Sequence, residues 1–322
     1  MFDIKRAEHE AVQWGLTLVD RMELQIQING KVDIFGDVDF DDDSEERFRE
    51  IVADTLVSHS LASKGNRFLQ CSRYAHLYMC KGPAEHKLFS PIYCDLRFCS
   101  RCAPRQFARL LNKYEPIVGR INELRQPNFR FRSITFTSRN TGFLIPSHVK
   151  QFNTGVKRTF KKLMKKFKGW GALWCNEVGF NNTNLHAHVL FYGPYIAQSE
   201  LAKIWNEISG NEVVWISEAK GRGKLTLLYM LKYVSKPPTD DPRQIGLLEV
   251  AFHKTRRVHT LGVLYNFAGK DVDAEYSEWT VCPHCGEKIE KEPGSPRIEK
   301  AIMEGRTFVG TRNTERRRQC VN

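Results

Sequence analysis

The sequence predicts an α+β fold in which short apolar strands alternate with amphipathic helices. Three observations favour this class. Residues 129–138 alternate apolar with polar side chains and are rich in β-branched and aromatic residues, which is typical of a half-buried strand. Residues 171–180 and 185–193 are two further apolar segments, separated by the turn-forming sequence NNTN. Residues 147–168, between the first and second of these strands, carry apolar side chains at helical spacing.

The composition divides the 322 residues into four segments. We expect an acidic N-terminal segment at 1–70, a cysteine-rich zinc module at 71–110, the α+β domain at 111–245 and a C-terminal region at 246–322. The last of these contains the motif CPHC and ends in a basic tail.

The charge is distributed unevenly along the chain. Residues 1–55 contain 15 acidic and 6 basic side chains, although the whole chain has a formal net charge of +12. The rest of the chain is therefore strongly basic, which indicates a polyanionic partner, with nucleic acid as the first candidate. The alternative is a charge that serves solubility alone.

Several classes of protein are disfavoured by what the sequence lacks. It has no run of about 18 apolar residues, so we expect no membrane span. The N-terminus is acidic and lacks the apolar stretch of a signal peptide, which favours a cytoplasmic protein. In that compartment the nine cysteines would stay reduced, and metal ligation is favoured over disulfides. The phosphate-binding motif of an ATP-driven motor is also missing.

Further elements are predicted on both sides of the first strand. Residues 105–125 have helical spacing of apolar positions, with a break expected at Pro116. After the apolar hairpin we expect a helix at 197–208, a short strand at 211–218 and a helix at 226–236.

The helix predicted at 147–168 has one apolar and one basic face. Its apolar stripe consists of Val156, Phe160, Leu163, Met164 and Phe167. Its other face is either solvated or contacts nucleic acid, and the candidate DNA-binding residues are Lys157, Lys161, Lys162, Lys165 and Lys166.

Two histidines lie one residue apart in the second strand of the hairpin. Because side chains at i and i+2 point to the same face of a strand, His186 and His188 project together. A hairpin centred in NNTN places Glu177 opposite one of them. Two imidazoles and a carboxylate leave open positions and suit Mg²⁺ or Mn²⁺ near a phosphate. The alternative is a pair of polar residues on a strand surface.

Two tyrosines and two lysines share one face of the helix at 226–236. Tyr229, Lys232, Tyr233 and Lys236 have the spacing i, i+3, i+4 and i+7. A phenol with a pKa of about 10 attacks a phosphodiester poorly unless a cation stabilises the phenolate. These residues therefore predict a tyrosine nucleophile assisted by lysine. The alternative is tyrosines that pack as amphipathic side chains with solvated hydroxyls.

Together these motifs resemble the HUH endonucleases, in particular the rolling-circle replication initiators of plasmids and single-stranded-DNA phages. FRSITFTS (131–138) is similar to the first family motif, NLHAHVLFYG (184–193) to the histidine motif and YMLKYVSK (229–236) to the tyrosine motif. The histidine motif departs from the pattern, since its middle residue is only Ala187. The tyrosine–lysine spacing occurs twice, which resembles the phage-type initiators.

The resemblance implies a fold, an activity and partners. It implies a ferredoxin-like antiparallel sheet with flanking helices, and an endonuclease domain at 111–245. The implied reaction nicks one DNA strand at an origin, with Tyr229 or Tyr233 forming a 5′-phosphotyrosine link and leaving a free 3′-OH. Origin DNA, a host helicase and a polymerase would be the partners. A single-strand transposase or a relaxase of the same superfamily is an alternative, as is a non-enzymatic zinc-dependent nucleic-acid-binding protein.

The cysteines predict one zinc site and half of a second. Cys94, Cys99 and Cys102 have the spacing C-x₄-C-x₂-C, in which a C-x-x-C turn brings two thiolates to one ion. A similar cysteine run precedes the catalytic domain of many plasmid initiators. The fourth ligand stays open, with Cys80 preferred over Cys71, His76 and His86. Cys282 and Cys285 form the half site, which His284, Cys320 or an N-terminal residue would complete.

Overall fold

The computed structural model describes residues 43–124, 126–179, 184–235, 238–268 and 280–309. The helices in these ranges are α1 (Asp43–Ser58), α2 (Ala62–Gln70), α3 (Ala103–Glu123), α4 (Pro146–Leu163), α5 (Gln198–Ser209), α6 (Lys224–Ser235), α7 (Pro242–Ala251), α8 (Val263–Ala268) and α9 (Ile298–Met303). The strands are β1 (Ala75–Cys80), β2 (Lys87–Pro91), β3 (Arg130–Thr137), β4 (Gly171–Val178), β5 (Leu185–Gly193), β6 (Val214–Glu218), β7 (Val258–Gly262), β8 (Ile289–Lys291) and β9 (Thr307–Phe308).

These residues form two units that each combine distant parts of the chain. The first contains the described residues of Met1–Leu61 and Asp95–Lys270, and the second those of Ala62–Cys94 and Asp271–Asn322. This division differs from the four consecutive segments expected from the sequence. The physical reason is strand pairing, because β8 pairs with β1 and joins the C-terminal region to the cysteine-rich segment.

The sheet of the first unit has the strand order β6-β3-β5-β4-β7, and every pairing in it is antiparallel. The elements β3, α4, β4, β5, α5 and β6 follow each other along the chain. Their strands are arranged in the order fourth, first, third, second, which is the ferredoxin-like βαββαβ topology. The predicted α+β class with an antiparallel sheet and flanking helices is therefore confirmed, and β7 extends the sheet beside β4.

One face of this sheet is covered by α4 and α5 through an aromatic core. Phe136 of β3 lies 4.7 Å from Trp205 of α5, and Phe160 of α4 stacks on Phe191 of β5 at 5.4 Å, as measured between ring centroids. These side chains are almost fully buried. The burial of their large apolar surfaces holds both helices against the strands.

The opposite face of the sheet packs against α3 and α6. Leu173, Cys175 and Leu190 from the strands form one buried cluster with Met230 and Leu231 of α6. The thiol of Cys175 donates a hydrogen bond of 2.9 Å to the carbonyl of Met230. This cluster sets the position of α6 relative to the hairpin of β4 and β5.

Two expectations about helices need correction. Helix α3 continues through Pro116. Proline removes one helical hydrogen bond, but the next turns are held by Val118 and Ile121, which are fully buried in the cluster under α6. Helix α4 ends at Leu163 rather than near residue 168, and Phe167 of the predicted apolar stripe is 45% exposed.

The second unit contains a small sheet with the strand order β8-β1-β2-β9. Strands β1 and β2 form an antiparallel hairpin, and β8 adds to β1 through the pairs Tyr78–Lys291 and Cys80–Ile289. The unit buries a correspondingly small cluster, whose members are Tyr78, Cys80, Leu88, Cys282, Ile289 and Val309.

None of the helices in the described part of the chain is long and apolar enough to cross a membrane.

Candidate functional site

The β4–β5 hairpin places a carboxylate opposite the histidine pair. Glu177 pairs directly with His186, and Cys175 pairs with His188. This register is one of those expected from the turn sequence, although the turn residues 180–183 lie outside the described ranges. Because directly paired and alternate residues share a face, all three polar side chains project toward α6.

Hydrogen bonds orient both imidazoles. The Nδ1 atom of His186 lies 3.0 Å from the Thr137 hydroxyl, and Nδ1 of His188 lies 3.4 Å from the Thr135 hydroxyl. The threonines come from β3, which pairs with β5 on the other side from β4. Each hydroxyl occupies the Nδ1 side of its ring, so both Nε2 atoms remain for another partner. Such contacts to the remote nitrogen are typical of metal-binding histidines.

Glu177 contacts one of the two histidines directly. Its Oε2 atom lies 2.5 Å from Nε2 of His188. The centroids of the two imidazole rings are 6.4 Å apart. The described structure gathers the ligand atoms of Cys80 and its neighbours more closely than those of this trio. His186 must therefore turn toward Glu177 before all three can bind one ion.

The chemistry of the trio fits a divalent cation. Burial lowers the pKa of His186, the nearby Glu177 opposing this effect, so the imidazole is neutral at neutral pH. A neutral imidazole keeps the lone pair that a metal needs, and a carboxylate adds the negative charge that Mg²⁺ or Mn²⁺ favours.

Both tyrosines of α6 lie beside His188. The ring of Tyr233 stacks on the imidazole with a centroid distance of 4.7 Å and an interplanar angle of 13°. The ring of Tyr229 is perpendicular to the imidazole, at 6.0 Å. The Tyr233 hydroxyl donates a hydrogen bond of 2.5 Å to the Tyr229 hydroxyl. The two phenols thus form one hydrogen-bonded pair at the edge of the histidine–glutamate cluster.

The environment of Tyr233 holds it in the protonated form. Burial, the hydrogen bond to Tyr229 and the nearby carboxylate of Glu177 all raise the pKa of Tyr233 far above its usual value. Tyr233 is therefore a hydrogen-bond donor at neutral pH, and Tyr229 is the acceptor. A donor aimed at the Tyr229 oxygen favours negative charge on that oxygen.

The position of α6 follows from its buried face and its first turn. Leu227, Leu231 and Val234 are fully buried on the face opposite the tyrosines. In the turn before the helix, Gly223 has φ +91°, and a Cβ atom there would lie 3.0 Å from Phe131 of β3. Lys232 and Lys236, predicted to assist the tyrosines, stay a prediction, since the Lys232 side chain and residue 236 lie outside the described part of the chain.

The lysines of the predicted DNA-binding surface are exposed. This holds for Lys157, Lys161 and Lys162 on α4 and for Lys165 and Lys166 after it. Lys162 forms an ion pair with Glu207 of α5, so part of its charge is neutralised within the unit.

A groove of about 750 Å³ lies along the N-terminal half of α4. The loop after β3 and the end of α5 complete its walls. Its lining includes Arg139, Lys150 and Arg158, together with Ser138 and Leu185. The last two adjoin Thr137 and His186 in the sequence, so the groove begins at the end of the strands that carries the histidines. Sequence reasoning missed this groove; the only signal was Arg139 directly after the first motif.

The structure corrects the assignment of Cys80. It gathers Cys80 with His86, Cys282 and Cys285 within the second unit. The sequence instead assigned Cys80 to the set containing Cys94, and it assigned Cys282 and Cys285 to a separate half site. Pairing of β1 with β8 is the reason, because it places the CPHC turn beside the end of β1.

The other predicted zinc ligands belong to different units. Cys99 and Cys102 lie in the first unit, where the Cys102 N–H donates to the Cys99 carbonyl at the start of α3. Cys94 lies in the second unit, where its N–H donates to the thiol of Cys71 at 3.4 Å. All four residues are buried and reduced. A zinc ion bound by Cys94, Cys99 and Cys102 stays a prediction.

Comparison with protein families found one match. Residues 131–238 match a family of replication-associated proteins, described as Replication-associated protein ORF2. The matched stretch is about a third of the chain, and it contains the ferredoxin-like elements, the histidine hairpin and both tyrosines. Comparison with curated proteins and with solved structures found no match.

Proposed function

We propose that this protein initiates DNA replication by nicking one strand of an origin with a tyrosine nucleophile. One observation carries the proposal: the paired hydroxyls of Tyr229 and Tyr233 lie beside a histidine that contacts Glu177. The similarity of residues 131–238 to replication-associated proteins supports the biological setting. An HUH-type transesterification accounts for a carboxylate, two histidines and two phenols in one place.

Tyr229 is the first nucleophile in this proposal. Its oxygen forms a bond to phosphorus while the bond between phosphorus and the 3′ oxygen breaks. The phenol proton leaves Tyr229, and the departing 3′ oxygen takes up a proton to become the free 3′-OH. The hydrogen bond from Tyr233 stabilises the charge that develops on the Tyr229 oxygen. Tyr233 then serves as the second nucleophile when the strand is transferred and rejoined.

Glu177, His186 and His188 are the proposed ligands of a Mg²⁺ or Mn²⁺ ion. Such an ion, when bound, withdraws charge from the phosphate oxygens and makes phosphorus more electrophilic. Thr137 and Thr135 keep the imidazoles oriented, as their contacts to Nδ1 indicate. Stacking on Tyr233 holds the His188 ring beside the nucleophiles.

The DNA path proposed here follows the basic groove and the exposed lysines of α4. Arg139, Lys150 and Arg158 line the groove, which ends next to His186 in the sequence. Single-stranded DNA binds positively charged grooves through its phosphates, with little dependence on sequence. A polymerase that extends the 3′-OH and a host helicase are the proposed further partners.

A covalent-adduct assay tests the proposal. Single-stranded DNA from the region around the chain's own coding sequence is incubated with the protein and Mn²⁺, then resolved under denaturing conditions. A 5′-phosphotyrosine link keeps the 3′ part of the DNA on the protein, so a 3′-end label should shift with the protein, whereas a 5′-end label should appear on a shortened, free strand.

Tyrosine variants make the assay specific. Combining Tyr229→Phe with Tyr233→Phe should abolish the adduct and leave DNA binding intact. Tyr229→Phe alone should prevent the first cleavage, whereas Tyr233→Phe should slow it by about 100-fold, as expected for the loss of one donor to a developing anion. Tyr195→Phe is the matched control, since Tyr195 is 76% exposed, and it should behave as the wild type.

The same assay separates the alternatives. Undiminished cleavage by the double variant contradicts a tyrosine nucleophile. DNA binding without any adduct, at the wild-type protein's own origin, favours the non-enzymatic zinc-dependent nucleic-acid-binding protein. An adduct that forms on transposon ends or on a transfer origin, but not on a replication origin, favours a single-strand transposase or a relaxase.

A further inference from the structure

We propose that Cys80, His86, Cys282 and Cys285 bind a structural zinc ion in the second unit. Their ligand atoms all lie within 4.8 Å of one another. The thiols of Cys80 and Cys285 are 3.4 Å apart, and the Cys282 thiol lies 3.5 Å from Nδ1 of His86. In a tetrahedral zinc site the ligand atoms are about 3.5–3.8 Å apart, given Zn–S and Zn–N bonds of about 2.3 and 2.0 Å. The four side chains thus already have nearly the spacing of zinc ligands.

The first half of the site is the turn of the β1–β2 hairpin. The Cys80 N–H donates to the His86 carbonyl at 3.0 Å, which closes the turn. The Gly82 N–H donates to the thiol of Cys80 at 3.3 Å. Backbone N–H groups aimed at sulfur stabilise the negative charge of a thiolate, which is the form that binds a metal.

The second half of the site is the CPHC turn before β8. The Gly286 N–H donates to the Cys282 carbonyl at 2.8 Å, and the Cys282 N–H donates to the Glu287 carbonyl at 2.7 Å. Gly286 has φ +78°, a conformation that glycine adopts without strain. The turn therefore brings Cys282 and Cys285 to the same side, as in a C-x-x-C zinc knuckle.

The two halves approach each other closely, and glycine permits this. A Cβ atom at Gly82 would lie 2.8 Å from Cγ of Glu287 and 3.5 Å from the Cys285 sulfur. The pairing of Cys80 with Ile289 holds the halves in register. Cys80 and Cys282 are each 1% exposed, and both belong to the small buried cluster of this unit.

Three thiols and one imidazole in this arrangement select zinc. Soft sulfur ligands favour zinc over Mg²⁺ or Mn²⁺, and four protein ligands leave no open position for a substrate. The role is therefore structural. The unit has a small apolar core, so an ion that ties residues 80–86 to residues 282–285 supplies stability that the core alone does not.

His86 rather than His284 is the nitrogen ligand in this proposal. The rings of the two histidines lie 5.2 Å apart, so both are near the thiols. Only the Nδ1 atom of His86 is gathered with the three sulfurs. A disulfide between Cys80 and Cys285 is the competing explanation for their proximity, but it gives His86 no role.

Zinc analysis of the full-length protein, purified under reducing conditions, tests the site. Elemental analysis should show one zinc equivalent per chain less in Cys282→Ser and in His86→Ala than in the wild type. His284→Ala is the matched control and should keep the wild-type zinc content. Wild-type zinc content in Cys282→Ser, or a loss in His284→Ala but not in His86→Ala, would overturn the assignment.

A ligand swap keeps the test decisive if a variant folds poorly. Cys285→His retains a zinc ligand, whereas Cys285→Ala does not. We expect the histidine variant to retain the ion and the alanine variant to lose one equivalent. Replacement of zinc by Co²⁺ should give the wild type a sulfur-to-cobalt charge-transfer band that weakens in Cys285→His. An intramolecular disulfide in the protein as isolated from cells, together with an unchanged zinc content in both variants, would contradict the proposal.

Discussion

His188 connects the parts of the candidate site. Its Nε2 atom contacts Glu177, its Nδ1 atom faces Thr135 and its ring stacks on Tyr233. A single side chain thereby joins β3, β4 and α6. The position of the phenols relative to the carboxylate depends on this ring, so residues that orient it or its neighbour His186 should affect activity without contacting DNA.

Thr137 is such a positioning residue. Thr137→Val keeps the shape of the side chain but removes the hydroxyl that lies 3.0 Å from His186. Loss of a contact behind a metal-binding histidine costs about 10- to 100-fold in metal affinity or activity. We expect the Mn²⁺ concentration for half-maximal nicking to rise by about this factor. Thr135→Val, whose contact is longer at 3.4 Å, should have a smaller effect. An unchanged Mn²⁺ dependence in Thr137→Val would show that the hydroxyl has no such role.

His259 should make the protein sensitive to acid. Its ring stacks on Trp174 with a centroid distance of 4.8 Å. Burial, together with the charges of Arg97, Arg256 and Lys157, lowers the pKa of His259 to about 3. As the pH falls below about 6.5, the usual pKa of histidine, the unfolded chain takes up a proton that the folded protein resists until about pH 3. Stability is therefore present above pH 6.5 and is lost as the pH falls from there toward 3.

Urea unfolding measured between pH 7 and pH 4 checks this expectation. In the wild type, His259 should contribute a loss of about 1.4 kcal/mol per pH unit to the free energy of unfolding. His259→Asn should remove this contribution and flatten the profile. His59→Asn, at an exposed position, is the control and should keep the wild-type slope. Equal slopes in all three proteins would refute the assignment to His259.

The elements of the first unit differ in what holds them to the sheet. Helix α4 is held by aromatic packing, since Phe160 contacts Phe136 and stacks on Phe191. Helix α6 is held by aliphatic side chains on one face, which leaves its other face to the tyrosines. The functional face of α6 is thus independent of its packing face, and tyrosine variants should leave the fold intact.

Phe160 and Phe167 distinguish the buried from the exposed end of the predicted helix stripe. Phe160 is fully buried, whereas Phe167 lies beyond the end of α4 and is 45% exposed. Phe160→Ala should lower the free energy of unfolding by about 3–5 kcal/mol because it leaves a cavity among aromatic rings. Phe167→Ala should change it by about 0.5 kcal/mol or less. Thermal or urea unfolding measures both, and similar losses would mean that the helix continues to residue 167 in solution.

At the scale of the whole molecule, charge and chain connectivity matter most. The chain has a net charge of +12, and the exposed lysines of α4 are part of its basic surface. Unit boundaries do not follow the chain, since each unit combines an early and a late segment. The segment that contains the candidate nicking site is therefore inserted within a smaller unit whose sheet joins residues 75–91 to residues 289–308.

The basic surface should give DNA binding a strong dependence on salt. Replacing Lys157, Lys161 and Lys165 with glutamine should weaken binding of single-stranded DNA. Each lost phosphate contact should make the slope of log K against log salt less negative by about 0.7. Lys162→Gln should have a smaller effect, because Lys162 is paired with Glu207. Fluorescence anisotropy across a salt series gives the slopes, and an unchanged slope in the triple variant would place the DNA elsewhere.

Local patterns predicted most of the first unit. The strands at β3, β4, β5 and β6 and the helices α5 and α6 lie within a few residues of their predicted positions. Alternation of apolar residues and turn chemistry are local properties, so sequence suffices for them. The end of α4 and the continuity of α3 through Pro116 were missed, because burial of particular turns outweighed local propensity.

By itself, the sequence determined the α+β class, the shared face of His186 and His188 and the shared face of Tyr229 and Tyr233. The periods of strand and helix impose these relations on any chain with this pattern. Only the tertiary structure decided that the phenols meet the imidazoles and that Cys80 joins Cys282 and Cys285 rather than Cys94. Both depend on which distant segments pack together, through the buried face of α6 and the pairing of β1 with β8. That choice is made by burial and strand pairing summed over the whole unit, which no local pattern contains.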